Sequence, residues 1–459
     1  MILRVKDKNL KKIGGVMKLG LDSMTKKAIF VFIFALVLQI PVSFIQGIVY
    51  ERDNLREKAV REVSVDWGSE QKIGGPFLVL ECTKLNAKEK DKSNRRFIIL
   101  PENLNISSSL DTSVRKKGIY NATVYTGDID LEGDIILPDE ELLKDHTIDQ
   151  VYLSLGITDN KGIEKVSRFE IDGHKVGVAS GTESSLFGSG ISTFIKKFKY
   201  ETGRKISFKI DLRLRGSQRI TFLPFGVQND FEIKSPWKNP SFYGMLPASS
   251  KIDDNGFSAK WSITNLVRSY NQYFWEDRYG YSNIFAASNY DDFSTTLDGG
   301  YAGVKLYEGI TEYNQINRAA KYGILFIMLS LLVVYIFEIS SKKTTHYIQY
   351  GIVGFSLALF YLILLSLVEY LNFNVAYFLA TMAVVIPNAL YLKGITHSVK
   401  YGGGMFIFLC GIYAILYSIL KMQNYSLLIG TALITVVVYI LMYVTRNLDR
   451  FEKLDKIGK

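Results

Sequence analysis

A chain of 459 residues exceeds one ordinary domain, and its 48% hydrophobic content is only slightly raised, so any membrane part must be mixed with a large water-soluble part. The formal charge of +10 would suit a nucleic-acid binder. Eight of the basic residues (Arg4, Lys6, Lys8, Lys11, Lys12, Lys18, Lys26 and Lys27) crowd into residues 1–27 beside an apolar run, however, and no nucleic-acid motif accompanies them.

That basic stretch reads as a cytoplasmic tail with some attraction for anionic lipid. Residues 28–49 (AIFVFIFALVLQIPVSFIQGIV) are the first apolar run. It is long for the core of a signal peptide and no small-x-small cleavage site follows, so residues 28–50 read as an uncleaved transmembrane signal anchor. Gln39, Pro41 and Gln46 give its outer half a polar, kinked face suited to helix packing.

Residues 51–320 read as a water-soluble β-rich domain. Ile206, Phe208, Ile210, Leu212 and Leu214 alternate with Ser207, Lys209, Asp211 and Arg213, the period of a half-buried strand. A turn over residues 215–218 then predicts a hairpin with a returning strand at 219–225. Further strands are expected at 62–67, 77–82, 97–100, 105–114, 122–131, 150–157, 167–171, 231–234 and 257–263, and a short helix at 138–143 behind Pro138. Many short strands without long helical patterns predict an antiparallel, sandwich-like all-β domain.

Two stretches interrupt this rhythm. Residues 179–192 (ASGTESSLFGSGIS) are rich in Gly and Ser, but they lack a Walker lysine and read as a plain loop. Residues 269–301 are rich in aromatics, among them Tyr270, Phe274 and Trp275, and read as packing area for the β domain or the membrane interface rather than as a stacking platform.

Five apolar runs follow, at 322–337, 350–368, 375–392, 405–420 and 426–443. The run at 350–368 is free of charge and spans roughly 28 Å, the thickness of a bilayer's hydrocarbon core. With the anchor this makes six transmembrane helices: residues 321–445 are a five-helix bundle, 446–459 a tail, and the β domain is inserted between helices 1 and 2. Lys342, Lys343, Lys393, Lys400 and the basic tail then fall on the side of the N-terminus, while Glu369 and Lys421 fall opposite. By the positive-inside rule both termini are cytoplasmic and residues 51–320 are extracytoplasmic.

Four polar positions in or beside the spans are candidates for function: Glu338, Gln349, Glu369 and Asn388. For Glu338 the plain reading is a surface ion pair with Lys342 at i+4, against a role in proton relay. Gln349 and Glu369 lie about 30 Å apart on one helix and cannot form one site. Glu369 belongs to the outer headgroup layer. Pro387-Asn388 either opens backbone carbonyls into a polar pocket or merely kinks the helix. Carboxylates such as Asp134, Asp139, Glu140 and Glu141 read as a solvated edge. No GxSxG or HExxH occurs, so no catalytic residue and no cofactor is expected. Cys82 and Cys410 sit at different depths, which argues against a disulfide, and four scattered histidines give no zinc site.

Residues 317–338 and 346–369 resemble the CreD-type inner-membrane proteins of bacteria, above all in Ile348-Gln349-Tyr350, Ala358-Leu359-Phe360-Tyr361-Leu362 and Leu365-Ser366-Leu367. Arg115-Lys116-Lys117-Gly118-Ile119-Tyr120 with Val124-Tyr125, and later Trp237, Pro240-Ser241-Phe242, Gly244, Leu246-Pro247, Gly256-Phe257 and Trp261, extend the resemblance over most of residues 95–445. Tyr347 stands where the family's pattern has proline, residues 308–311 depart from it, and 270–301 look like an insertion. The resemblance implies a role in cell-envelope integrity and supplies no catalytic set. The expected function is therefore a non-enzymatic inner-membrane protein whose periplasmic β domain binds an envelope polymer, lipid or protein. The alternative is a transporter or lipid-handling protein with a polar pocket in its bundle.

Overall fold

The computed structural model describes residues 23–85, 95–268, 270–276, 300–306, 312–341 and 344–421, with scattered positions between 428 and 442. The chain divides into two compact units: Met1–Asp53 with Ile310–Lys459, and Asn54–Gly309.

The first unit is helical. Helix α1 (Ser23–Val37) is followed at once by α2 (Gln39–Trp67). Pro41 accounts for the interruption: it has no N–H for the carbonyl of Val37, four residues back, and its ring crowds that carbonyl. After the β unit come α3 (Glu312–Ser341), α4 (Tyr347–Val368), α5 (Phe373–Thr396) and α6 (Val399–Lys421). Among the described residues five helical stretches are long and apolar enough to cross a membrane: Lys26–Trp67 and α3 to α6. The sixth expected span, residues 426–443, falls outside the described residues but for scattered positions. Helix α1 packs on α4 at Gly354, where any side chain would collide with Leu38 and Phe34, so glycine permits the close approach.

Among its described residues the second unit contains 17 strands. In chain order they are β1 (Gln71–Lys84), β2 (Arg95–Ile99), β3 (Asn103–Lys117), β4 (Tyr120–Ile136), β5 (His146–Ile157), β6 (Ile163–Ile171), β7 (His174–Lys175), β8 (Ala179–Ser180) and β9 (Gly190–Phe194). They continue with β10 (Lys205–Ser217), β11 (Arg219–Leu223), β12 (Gln228–Ser235), β13 (Pro240–Gly244), β14 (Ser249–Asp253), β15 (Gly256–Thr264), β16 (Tyr273–Trp275) and β17 (Ala302–Leu306). One sheet has nine strands in the order β13-β17-β11-β1-β5-β9-β8, with β2 and β16 added beside β1; the other has eight, β14-β15-β12-β3-β4-β10-β6-β7. A single apolar cluster draws on both, with Ile73, Leu78 and Phe222 from the first and Leu104, Ile129, Phe208 and Phe231 from the second. In the eight-stranded sheet the inward residues alternate with polar outward ones, as a sheet with one solvated face requires.

Two expectations are corrected. Residues 62–67 are the end of α2, not a strand. Their alternation is outweighed by the charged, helix-favouring stretch they continue, in which Arg61 lies 3.5 Å from Glu57 one turn back and Ser64 Oγ donates to the Val60 carbonyl at 2.9 Å. The helix stops at Gly68, whose φ of +149° suits glycine and whose close approach to the Arg215 carbonyl leaves no room for a side chain. The second correction concerns the expected hairpin. β10 pairs with β4 and β6, whereas β11 pairs with β1 and β17 in the other sheet. Gln218, at φ +57°, turns the chain from one sheet into the other. The remaining expected strands each fall on an observed one, although β1, β4, β5 and β6 extend several residues beyond the expected bounds, and residues 140–143 form a short 3₁₀ turn.

Of the aromatic stretch, Tyr270 and Phe274 are buried in the core and β16 pairs with β2, while residues 277–299 lie outside the described residues. The Gly/Ser-rich stretch grips Glu276: Ser184 Oγ donates to its carboxylate at 2.7 Å, and Ser185 gives both its N–H and its Oγ.

Candidate functional site

The four candidate membrane residues fall into three separate places. Glu338, 16 residues beyond Tyr322 on α3, is buried at 9% exposure. Lys342, its expected partner, lies outside the described residues. The contacts found for Glu338 come from elsewhere. Lys27 of α1 forms an ion pair with Oε1, Thr345 donates its N–H to Oε1 at 3.1 Å, and Tyr350 of α4 donates its hydroxyl to Oε2 at 2.6 Å. Lys27 Nζ also donates to the Thr345 carbonyl at 2.6 Å and sits 5.8 Å from the ring centres of Tyr347 and Tyr350. Among the described residues Glu338 thus sits buried in a polar network of three helices, in which each charge has an opposite charge and further hydrogen bonds.

Gln349 does different work close by. His346 caps α4 by accepting the N–H of Ile348 at 3.3 Å, and Gln349 Oε1 accepts the His346 N–H at 2.8 Å, a capping box with His in the first position. At the far end of α4, Glu369 pairs with Arg52 of α2 at 3.3 Å. Asn388, 3% exposed, donates to Ser356 Oγ of α4 at 2.8 Å and to the Val384 carbonyl at 2.7 Å. Helix α5 runs through Pro387 without a break, and the Asn388 amide is occupied by α4 rather than turned to a cavity. Sequence reasoning missed Lys27, Tyr350, Arg52 and Ser356 as partners. Position as the last base before the first apolar run was the only signal for Lys27.

In the β unit the outward face of the eight-stranded sheet forms a hollow of about 680 Å³, lined among others by Asn105, Ser107, Asp130, Glu132, Asp211 and Lys209, and a second of about 520 Å³ shares Asn105, Glu132, Arg168 and Lys209 with it. The register lays the residues out in rows. One row runs Lys260, Glu232, Ser107, Asp130, Asp211, Arg168 across β15, β12, β3, β4, β10 and β6. The next runs Ser262, Asp230, Asn105, Glu132, Lys209, Glu170. Six strands at about 4.8 Å spacing make the floor about 24 Å long. The larger hollow holds five carboxylates (Asp130, Glu132, Asp211, Asp230, Glu232) against three cations (Arg168, Lys209, Lys260), an acidic excess on a chain of net charge +10. Arg168 meets Asp211 at 2.9 Å and Lys209 meets Glu132 at 3.3 Å. The Asp130 carboxyl is held above its ordinary value, first by burial and then by the carboxylates of Asp211 and Asp128. Lys209, Asp211 and Arg213 were already legible as outward residues of their strand; the carboxylates facing them from β4 were not. Among the described residues no group of three or more His, Cys, Asp or Glu is placed to hold a metal ion.

Comparison with known proteins adds the family. The model of the family described as inner membrane protein CreD matches residues 23–451. The inner membrane protein CreD of Escherichia coli (strain K12) is 28% identical over 429 residues, covering 90% of this chain and 91% of the relative, and its name states no reaction. Two solved structures of an M1 zinc metallopeptidase from Deinococcus radiodurans match 36% of this chain, and 39% and 38% of their own, at 8% identity and TM-scores of 0.22 and 0.21, a level from which neither fold nor function follows. With its apolar helices, its inserted β unit and a family match over nearly its whole length, the chain belongs to the CreD family and is a multi-pass inner membrane protein of the cell envelope.

Proposed function

We propose that this protein supports envelope integrity without catalysing a reaction, and that its β unit, a periplasmic sandwich, binds an envelope component on the outward face of the eight-stranded sheet. In this reading the chain crosses the membrane six times with both termini in the cytoplasm, as the distribution of Lys and Arg over the short links suggests. The observation that carries the binding role is the row of charged and hydroxyl side chains across six strands, with its hollow of about 680 Å³. Transport through the bundle has less support, because Asn388, the residue best placed to line a path, is occupied by Ser356 and Val384.

The test is in-cell crosslinking from single cysteines. A cysteine at Ser107, on the floor, is compared with one at Lys144, on the exposed 3₁₀ turn. Adducts of one recurrent mass from Ser107 and not from Lys144 support the reading; equal recovery from both sinks it.

A further inference from the structure

The nine-stranded sheet is open at one corner. β9 runs beside β5 as far as Phe194 opposite Tyr152, and the last rung is the Ile195 N–H donating to the Val151 carbonyl at 2.9 Å. The chain then turns away at Lys197, whose φ of +54° is a left-handed value uncommon outside glycine. Residues 146–150 of β5 pair with residues 81–84 of β1 on one side, with a bulge at Asp149. Among the described residues no strand pairs with them on the other side. Proteins close such edges with lysine, proline, bulges or covering loops. Here the bulge is present, but residues 146–150 contain no lysine or proline, and the following segment stands off from them. A hollow of about 660 Å³ lies there, lined by Thr147, Asp149 and Gln150 of β5 and by Lys197, Lys199 and Tyr200 beyond. The far wall is held in place. Tyr200 donates its hydroxyl to the Pro138 carbonyl at 2.8 Å, and the rings of Phe198 and Tyr200 pack against the core. The groove thus exists before anything fills it, which lowers the cost of ordering on binding.

Two features name the occupant. A strand edge offers main-chain N–H and C=O groups at the repeat of an extended polypeptide, so it selects a peptide over a lipid or a sugar. Five residues of edge give it about 17 Å to follow. The wall segment carries Lys196, Lys197 and Lys199 within four residues, of which Lys199 meets Glu201 at 2.7 Å. Of the two carboxylates in the lining, Asp149 accepts the Thr83 hydroxyl at 2.6 Å and Glu140 lies on the 3₁₀ turn. A chain laid along β5 therefore has lysines beside its outer edge, which favours acidic side chains. We propose that an extended, acidic segment of a protein partner joins the nine-stranded sheet as a strand beside β5. This surface is separate from the outward face of the eight-stranded sheet, and neither assignment depends on the other.

The experiment is fluorescence anisotropy of the full chain in nanodiscs of zwitterionic lipid, with labelled octapeptides of alternating Glu and Val or of alternating Lys and Val. The Glu–Val peptide binds at least about tenfold more tightly at low salt, and the difference shrinks as salt is raised. Successive amides of a strand point to opposite edges, so N-methylation of one alternate set weakens binding at least about tenfold while methylation of the other set is tolerated. Lys197→Glu weakens the Glu–Val peptide about fivefold at low salt with the unfolding temperature unchanged. Absence of Glu–Val binding, equal binding of the two peptides, or tolerance of both methylated forms overturns the proposal. The methylation series uses the parent protein, so no variant's folding enters it. Inorganic polyphosphate that competes as well as the peptide reveals a general anion patch and overturns the added strand. A photocrosslink from position 150 to residues 86–94 or 277–299 of the same chain gives the groove to the protein itself and overturns the partner. In cells, any adduct from a cysteine at Lys144, which also lines this groove, is expected to differ in mass from the Ser107 adduct; one shared adduct overturns the separation of the two sites.

Discussion

Glu338 and Lys27 show how much a single buried pair depends on its completion. Taking two charges out of water is costly, and an ion pair repays that cost only when the remaining hydrogen-bonding capacity is also met, as Thr345 and Tyr350 meet it here. Removing one partner leaves a buried charge unpaired. Glu338→Ala is therefore expected to lower stability by about 3–5 kcal/mol, and Lys27→Ala by a comparable amount. The double variant loses less than the two together, because the second change removes a charge already stranded. Unfolding of all four proteins in nanodiscs measures this coupling, and strict additivity would show that the two side chains act independently. Asp130 gives the opposite sign. Its carboxyl is raised in the folded protein, by burial and by Asp211, Asp128 and Glu132 against the opposing pull of Arg168. A group with a raised folded value binds its proton more tightly when folded, so its charged form opposes folding at neutral pH and ceases to do so as pH falls through the carboxylate range. Asp130→Asn is expected to be slightly more stable than the parent at pH 7, an effect kept small by solvent screening of the exposed carboxyl, with the gap closing towards pH 3. A gap that widens on acidification contradicts the raised value. The candidate residues were visible in the sequence as types in a place, but their partners were not. A local rule pairs Glu338 with Lys342, which lies outside the described residues; no local rule points to Lys27, 311 residues away, whose ammonium meets Glu338 among the described ones.

At the scale of elements, periodicity located the pieces and failed where their connections mattered. The apolar runs marked five helices, because a run that long and that free of charge is stable only as a helix shielded from water, but they did not show that the first helical stretch continues to Trp67 or that α3 begins at Glu312. The hairpin expected around residues 215–218 failed because alternation states which face of a strand is buried and is silent on which sheet it joins; that was decided by the turn at Gln218. The final turns of α2 were misread because a six-residue alternation outweighed the charged stretch before it. Those turns end on Trp67, whose ring lies 4.4 Å from the Arg115 guanidinium carbon and 4.8 Å from that of Arg215, and whose Nε1–H donates to the Tyr125 carbonyl at 3.2 Å. Lys117 adds an ion pair to Glu62 at 2.6 Å. These contacts are partly exposed, and each cation–π contact contributes on the order of 0.5–1 kcal/mol. Trp67→Ala is expected to speed amide exchange across residues 54–67 by about ten- to a hundredfold while the β3–β4 ladder keeps its protection. Unchanged exchange in that segment would show that α2 is held by something other than its final tryptophan.

For the whole molecule, the decisive question is which side of the membrane each unit occupies. The proposed arrangement predicts that alkaline phosphatase fused after Asn255, in the β14–β15 turn, is active, and that a fluorescent protein fused at the C-terminus folds in the cytoplasm. An inactive phosphatase fusion reverses the orientation; a dark C-terminal fusion removes the sixth span. The order of synthesis adds a further consequence of the Lys27–Glu338 pair. The lysine enters the bilayer 311 residues before its carboxylate has been made. At common bacterial elongation rates that interval is roughly 15–60 s. Throughout it the first helix resides in the lipid as an unfinished piece, its ammonium served by headgroups or water, and only the arrival of α3 and α4 gives it a fixed place. A ribosome that stalls within the β unit therefore leaves a nascent chain whose anchor is inserted yet unclaimed, a natural recognition state for membrane quality control.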